Sequence, residues 1–239
     1  MPRRILITND DGIDADGIKR LAEAAIEFGE VWVVAPHDQR SAASHSITLR
    51  HSMSVVPYNF PVEGVKAYSC TGTPADCIRV GSISVMPWKP DVVMAGINYG
   101  YNVATDIQYS ATVGAALEGE FQGYLSMAFS EDMGDCHEVT DRYLREIMLE
   151  LLKKEYVPGI VWNVNFPGCK LKDCKGVLRD LPVSRKEFFN DGYKKVKDLP
   201  DGGCEYIVDG VYSPSMESGT DYGAILDNYV SIGVVHNIS

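Results

Sequence analysis

Asn9-Asp10-Asp11-Gly12 places two adjacent carboxylates and an amide directly after Arg4–Thr8, an apolar run that reads as a β-strand. Consecutive strand side chains point to opposite faces, so Asp10 and Asp11 can share one partner only if the backbone bends, and Gly12 permits that bend. Two other polar clusters hold equivalent places. His37-Asp38-Gln39-Arg40-Ser41 follows the apolar run Glu30–Ala35, and Gly96-Ile97-Asn98 follows Asp91–Ala95. Ligands of open α/β sheets bind beyond the carboxyl ends of strands, so these strand ends offer oxygen donors to one rim. Asp10, Asp11, the Ser41 hydroxyl and the Asn98 amide oxygen form a hard, all-oxygen set suited to Mg²⁺, Mn²⁺ or Ca²⁺ rather than zinc. A plainer reading stands beside this one: a strand-to-helix turn with Asp14 or Asp16 capping the next helix, and Ser41 and Asn98 as loop residues.

Ser110-Ala111-Thr112-Val113-Gly114 opens a helix with backbone N–H groups, two hydroxyls and the positive end of a helix dipole, all of which suit a phosphate. Capping by Ser110 explains the same pattern. There is no Walker loop, no dinucleotide G-x-G-x-x-G and no G-x-S-x-G elbow.

The elements that must position these groups alternate. After Arg4–Thr8, the spacing of Ile18, Leu21, Ala22, Ala25 and Ile26 predicts a helix stopped by Gly29. Strands are expected at 30–35, 47–56, 65–69, 91–95, 125–129 and 160–166. Thr73-Pro74 starts a helix running to about residue 84. A third helix covers 110–122, made slim by Ala111, Gly114, Ala115, Ala116 and Gly119, and a fourth carries Leu144, Ile147, Met148 and Leu151. This pattern predicts an α/β fold, a three-layer, mostly parallel Rossmann-like sheet with helices on both faces. Beyond about residue 168 the pattern weakens, with strands expected at 205–208 and 229–235, so residues 1–239 read as one domain: a core to about 168 and a C-terminal antiparallel extension or arm from 169.

With 33 acidic against 22 basic residues, the net charge of −11 excludes a nucleic-acid polymer as a favoured partner. A small anionic substrate would need a local cation to reverse that repulsion. No stretch approaches a membrane span, the first apolar run is too short for a signal peptide, and Cys70, Cys77, Cys136, Cys169, Cys174 and Cys204 have neither zinc nor redox spacing. Reduced thiols in the cytoplasm are expected.

The stretches ILITNDDGIDADG (5–17), VVAPHDQRSAASHSITL (33–49), YSCTGTPADC (68–77), GINYGYNVATD (96–106), YSATVGAALE (109–118), NVNFP (163–167) and 219–230 together resemble the SurE survival-protein family of metal-dependent nucleotidases. The resemblance implies one divalent ion per subunit on Asp10, Asp11, Ser41 and Asn98, with Asp10 or Asp11 orienting the attacking water. It also implies phosphate or substrate contacts from Asn9, Asn102, Ser110, Ala111 and Thr112. The implied reaction is release of phosphate from nucleoside 5′- or 3′-monophosphates by a cytoplasmic homodimer or homotetramer built through the C-terminal arm. Family members usually carry Gly where this chain has Ala111 and, often, Ala104; a positive φ at 111 would strain the phosphate turn. Arg40 and His45 read first as structural, with phosphate contact and proton donation as their alternative roles. Two rivals remain: an aspartyl-nucleophile phosphatase, whose acids usually stand one residue apart rather than adjacent, and a metal- or nucleotide-binding module without turnover.

Overall fold

Runs of consecutive apolar residues need both faces covered, and residues 5–8, 31–36 and 92–97 are buried without a break. The computed structural model describes residues 2–213 and 217–238. In chain order the core elements are β1 (Arg3–Thr8), α1 (Asp16–Ala25), β2 (Gly29–Pro36), β3 (Val55–Tyr58), β4 (Lys66–Cys70), α2 (Pro74–Val80), β5 (Val92–Tyr99), α3 (Ala111–Phe121), β6 (Leu125–Glu131), α4 (Glu138–Leu151) and β7 (Ile160–Phe166). β8 (Val177–Leu181), β9 (Phe189–Asn190), β10 (Tyr193–Asp198), β11 (Cys204–Val208), β12 (Val211–Tyr212), α5 (Asp221–Leu226) and β13 (Val230–His236) follow.

Nine strands make one sheet in the order β3-β4-β2-β1-β5-β6-β7-β13-β8. The six strands from β4 to β7 are parallel, β3 is antiparallel to β4, and β13 is antiparallel to β7. Along β1, Ile5 and Ile7 pack with Ile18 and Leu21 of α1 and Leu144 of α4, while Leu6 packs with Ile78 of α2 and Val113 of α3. This is the expected three-layer α/β fold. The final strand does not stay with the tail; it pairs with β7 in the central sheet, and β8, which the sequence pattern missed, pairs with it in turn. The extra antiparallel strands lie between them, as the β10–β11 hairpin and the β9–β12 pair. No helix of the described residues is long and apolar enough to cross a membrane.

Three local expectations are corrected. Residues 47–54 form no strand: Ile47 and Leu49 are exposed, Thr48 is tied to Asp76, and without a buried face only Val55–Tyr58 pairs. β5 does not stop at Ala95 but continues to Tyr99, with a register shift against β6 between Ala95 and Asn98. Neither Asp14 nor Asp16 caps α1, whose N-cap is Ala15 with no side-chain bond.

Thr73 and Asp76 form a capping box at the start of α2. Asp76, 2% exposed, also accepts the Thr48 N–H at 2.9 Å and the Thr48 hydroxyl at 2.7 Å, and so holds the 46–48 segment against the helix. Burial pushes the Asp76 carboxyl up, but the bonds from Thr48 and Thr73 outweigh it and hold its pKa below the ordinary aspartate value. Because the folded value is the lower one, its stabilisation is complete above the unfolded value of about 3.9 and is lost as pH falls through the folded value. Asp76→Ala is therefore expected to cost about 2–3 kcal/mol near pH 7. Thermal melts from pH 7 to pH 3 should show the wild-type advantage shrinking only below about pH 4; an advantage independent of pH would contradict the charged role.

Candidate functional site

The order in which strands are added reverses between the parallel neighbours β1 and β5: β1 is followed by β2 on one side, and the sheet continues from β5 on the other. A crevice at the carboxyl ends of two such strands is where α/β sheets bind ligands. Asp10 and Asp11 leave the end of β1, and Asn98 lies near the end of β5. Gly12, at φ +99°, makes the bend after the two acids. The loop after β2 is docked on this turn by Ile13 N–H to Pro36 O (2.8 Å) and Arg40 N–H to Asp10 O (2.7 Å), which carries Ser41 to the same rim.

Hydrogen bonds and one peptide step, from Tyr99 to Asn98, link the four oxygen donors. Gln39 Nε2 donates to Ser41 Oγ (3.0 Å) and, at 3.4 Å, to Asp11 Oδ1. The other oxygen of Asp11 accepts the N–H of Tyr99, next to Asn98 (3.0 Å). Thr112 Oγ1 donates to Asp10 Oδ1 and lies 3.4 Å from Asn98 Oδ1. Asn98 Nδ2 is committed to Gly100 O at 2.7 Å, which leaves its Oδ1 on the side of Thr112.

Both acids titrate above the ordinary aspartate value. Burial pushes the Asp10 carboxyl up to about 6, the charge of Asp11 adding to the effect and the Thr112 hydroxyl opposing it. Burial also raises Asp11. Among the described residues no Lys, Arg or His forms an ion pair with either acid. No group of three or more His, Cys, Asp or Glu converges among the described residues, so a site here draws its remaining oxygens from Ser41 and Asn98. Two half-compensated carboxylates with a hydroxyl and an amide oxygen fit a hard divalent ion.

At the start of α3, Ser110 is the N-cap, its Oγ accepting the Val113 N–H at 3.0 Å. Ala111 and Thr112 are the first helical residues, so their N–H groups have no partner inside the helix. Ala111 has an ordinary helical conformation, and the strain anticipated there is absent; it falls instead on Ala104, at φ +53°. Asn9 donates from Nδ2 to Gly12 O (2.8 Å), while its buried Oδ1 has no hydrogen-bond partner among the described residues. Asn102 is set apart. Its side chain donates to Ser130 Oγ (2.7 Å), its N–H to Asn165 Oδ1 (2.8 Å), and its carbonyl accepts from Asn163 and Asn165. That buried network clamps the loop after β5 onto β6 and β7. His45 is bound at 2.8 Å to Glu118, which also holds Arg79 and Gln122. Arg40 donates to Thr71 O (3.2 Å), and its buried Nε has no partner among the described residues.

Gln39 is the residue that sequence reasoning passed over. Its place between two donor-bearing strand ends, inside the cluster that supplied Ser41, was the available signal. The Tyr99 N–H could not have been foreseen, because its reach to Asp11 depends on β5 running past its apolar stretch.

The chain is similar to known proteins in sequence and in fold. A family model described as Survival protein SurE matches residues 5–186. The 5′-nucleotidase SurE of Clostridium botulinum (strain 657 / Type Ba4) is 37% identical over 236 residues, 97% of this chain and 92% of its own. The protein of the same name from Alkaliphilus metalliredigens is 36% identical over 238 residues, 98% of this chain and 92% of its own. In three dimensions the chain is similar to the SurE protein from Aquifex aeolicus, with a TM-score of 0.81 and 31% identity over 99% of this chain and 94% of that one.

Proposed function

The chain belongs to the SurE survival-protein family, and from that premise we propose that it is a 5′-nucleotidase that also accepts 3′-monophosphates and depends on one divalent ion per subunit, Mg²⁺ or Mn²⁺. The observation that carries this reading is the pair of acids at the β1/β5 switch point, Asp10 buried and Asp11 half-buried, with no ion-paired Lys, Arg or His among the described residues and with Ser41 and Asn98 linked to them through Gln39 and Thr112. These four residues would hold the ion, which when bound supplies Lewis-acid polarisation of a phosphate oxygen and a water acidic enough to attack near neutral pH.

The chain's own residues do the rest. Thr112 holds Asp10 in one orientation, and Gln39 and the Tyr99 N–H do the same for Asp11, leaving these carboxylates to orient the attacking water. The free N–H groups of Ala111 and Thr112 face the growing charge on the equatorial oxygens, with the α3 dipole behind them. The Ser110 hydroxyl, whose oxygen already accepts from Val113, keeps its O–H for phosphate, and Asn9 adds its remaining N–H. Asn102 acts through the loop it clamps. Inorganic phosphate release across a panel of 5′- and 3′-mononucleotides, with Mg²⁺, Mn²⁺ or chelator, tests the reading. Release that requires a divalent ion supports it; release untouched by chelator contradicts it.

We also read the β10–β11 hairpin as the contact between copies of the chain, as dimer or tetramer. Tyr193, Val196, Tyr206, Ile207 and Val208 are all more than half exposed on it, an apolar surface that a second copy would cover. Deleting residues 191–210 is expected to leave a monomer by light scattering, whereas an unchanged mass would remove the hairpin from the interface.

A further inference from the structure

Cys70 ends β4 and Cys77 stands in α2, and the six residues between them hide the pair in the sequence. The fold brings the two sulfurs into hydrogen-bond contact. The Cys77 S–H donates to the Cys70 sulfur, which also accepts the Gly72 N–H at 3.3 Å. The bond from Cys77 brings the Cys70 thiol down to about 7; burial and Asp76 oppose this, and the Gly72 N–H and the charge of Arg40 add to it. Burial and the neighbouring sulfur hold the Cys77 thiol well above its ordinary value. One sulfur is therefore a nucleophile near neutral pH and the other its proton-bearing partner, the asymmetry of an oxidisable pair. The hydrolysis proposed above uses neither thiol.

Both side chains are 0% exposed, and Met53, from a stretch that forms no strand, packs against the cluster that contains them. Only a small oxidant, entering as that stretch opens, reaches the sulfurs. We propose that hydrogen peroxide converts Cys70 and Cys77 to an intrachain disulfide, and that this bond slows the enzyme by shifting the loop that carries Ser41. The Cys70 thiolate attacks one peroxide oxygen, the O–O bond breaks, and hydroxide leaves and takes a proton from solvent; Cys70 is now a sulfenic acid. The Cys77 sulfur displaces that oxygen, the S–S bond forms, and the hydroxyl departs with the Cys77 proton as water. The two sulfurs together lose two electrons, and the peroxide is reduced to two waters. An S–S bond of about 2 Å is much shorter than the hydrogen-bonded contact it replaces, so the end of β4 must move toward α2. That end moors the loop before Ser41: the Cys70 carbonyl accepts the His37 N–H at 2.7 Å, and the Thr71 carbonyl accepts from the Arg40 guanidinium at 3.2 Å. The slowing rests on the nucleotidase reading above; the disulfide does not.

Trypsin cleaves after Lys66 and Arg79, so one peptide, 67–79, carries both cysteines. After the native protein is treated with peroxide at pH 7, denatured and alkylated, this peptide is expected to be two hydrogens lighter and unalkylated in most chains. Dithiothreitol should restore full alkylation. In Cys77→Ala, dimedone should label Cys70 as the sulfenic acid, and in Cys70→Ser, Cys77 should stay reduced. Phosphate release from a mononucleotide should fall at least threefold on oxidation of the wild type, recover with dithiothreitol, and be unaffected by peroxide in Cys70→Ser. Both thiols alkylated in the peroxide-treated wild type overturns the pair. A disulfide that leaves phosphate release unaltered overturns its link to the Ser41 loop. No phosphate release from the untreated protein overturns the nucleotidase reading and the slowing with it, while the mass of the peptide still decides the disulfide.

Discussion

Asp10→Asn lowers phosphate release from a mononucleotide by about 10³-fold or more and, in the same protein freed of metal by chelator, raises the melting temperature. The loss follows from removing a charged ligand of an ion whose contribution to a phosphoryl-transfer barrier is several kcal/mol, at about 1.4 kcal/mol per tenfold in rate. The gain in stability follows from the burial of Asp10 beside Asp11. A carboxyl raised to about 6 is charged at pH 7 against the preference of the folded state, so its contribution to stability declines as pH rises through that value. Asparagine keeps the oxygen that accepts from Thr112 and removes the charge. One substitution therefore moves activity and stability in opposite directions, a trade expected where a site is built for function at the expense of folding. Activity retained, or a variant that melts lower without metal, would contradict the reading. Asp11→Asn should act in the same two directions with the smaller stability gain, since Asp11 is less buried than Asp10.

Gly17→Ala is the second large effect, and its cause lies outside the site. Gly17 lies in the first turn of α1, where a Cβ would stand 2.0 Å from the carbonyl oxygen of Ile97. That atom is backbone and cannot rotate away. On its other flank the same stretch is fixed, because a Cβ on Gly96 would stand 2.3 Å from Phe129 O of β6. The helix must move off the sheet, or Ile97 must move and take Asn98 with it. Overpacking of this kind costs about 3 kcal/mol or more, offset by roughly 1 kcal/mol from the better helix propensity of alanine. Each kcal/mol shifts the melting temperature of a chain of this size by about 2–4 °C. A drop of at least about 5 °C is expected, together with weaker metal affinity. A variant that melts like wild type would mean that α1 and β5 do not approach as closely as described.

Much of this was legible in the amino-acid sequence, for physical reasons that differ from element to element. The strands expected at Arg4–Thr8 and Asp91–Ala95 were visible because parallel strands buried on both faces carry continuous apolar runs, here Ile5–Ile7 and Val92–Ala95. The Thr73-Pro74 start and the Ser110 cap were visible because capping is local chemistry. The small residues of α3 foretold a close approach, and a Cβ on Gly114 would indeed stand 2.4 Å from Ser44 O. What stayed hidden depended on distant partners. Residues 47–54 alternate like a strand but have no neighbour to pair with, and β8 became a sheet member only through β13, some fifty residues later in the chain. At the site, the strand-end residues were evident, but the bonds that order them through Gln39 and the Tyr99 N–H depend on a bulge in β5 that no spacing rule announces.

The most direct test of a cation at this rim is to count it. Titrating the metal-free protein with Mn²⁺ and following the free ion by electron paramagnetic resonance should give one bound ion per chain in the wild type, and none at the same concentrations when Asp10→Asn and Asp11→Asn are combined. Undiminished Mn²⁺ binding in that double variant would contradict the assignment of Asp10, Asp11, Ser41 and Asn98 as the ligands.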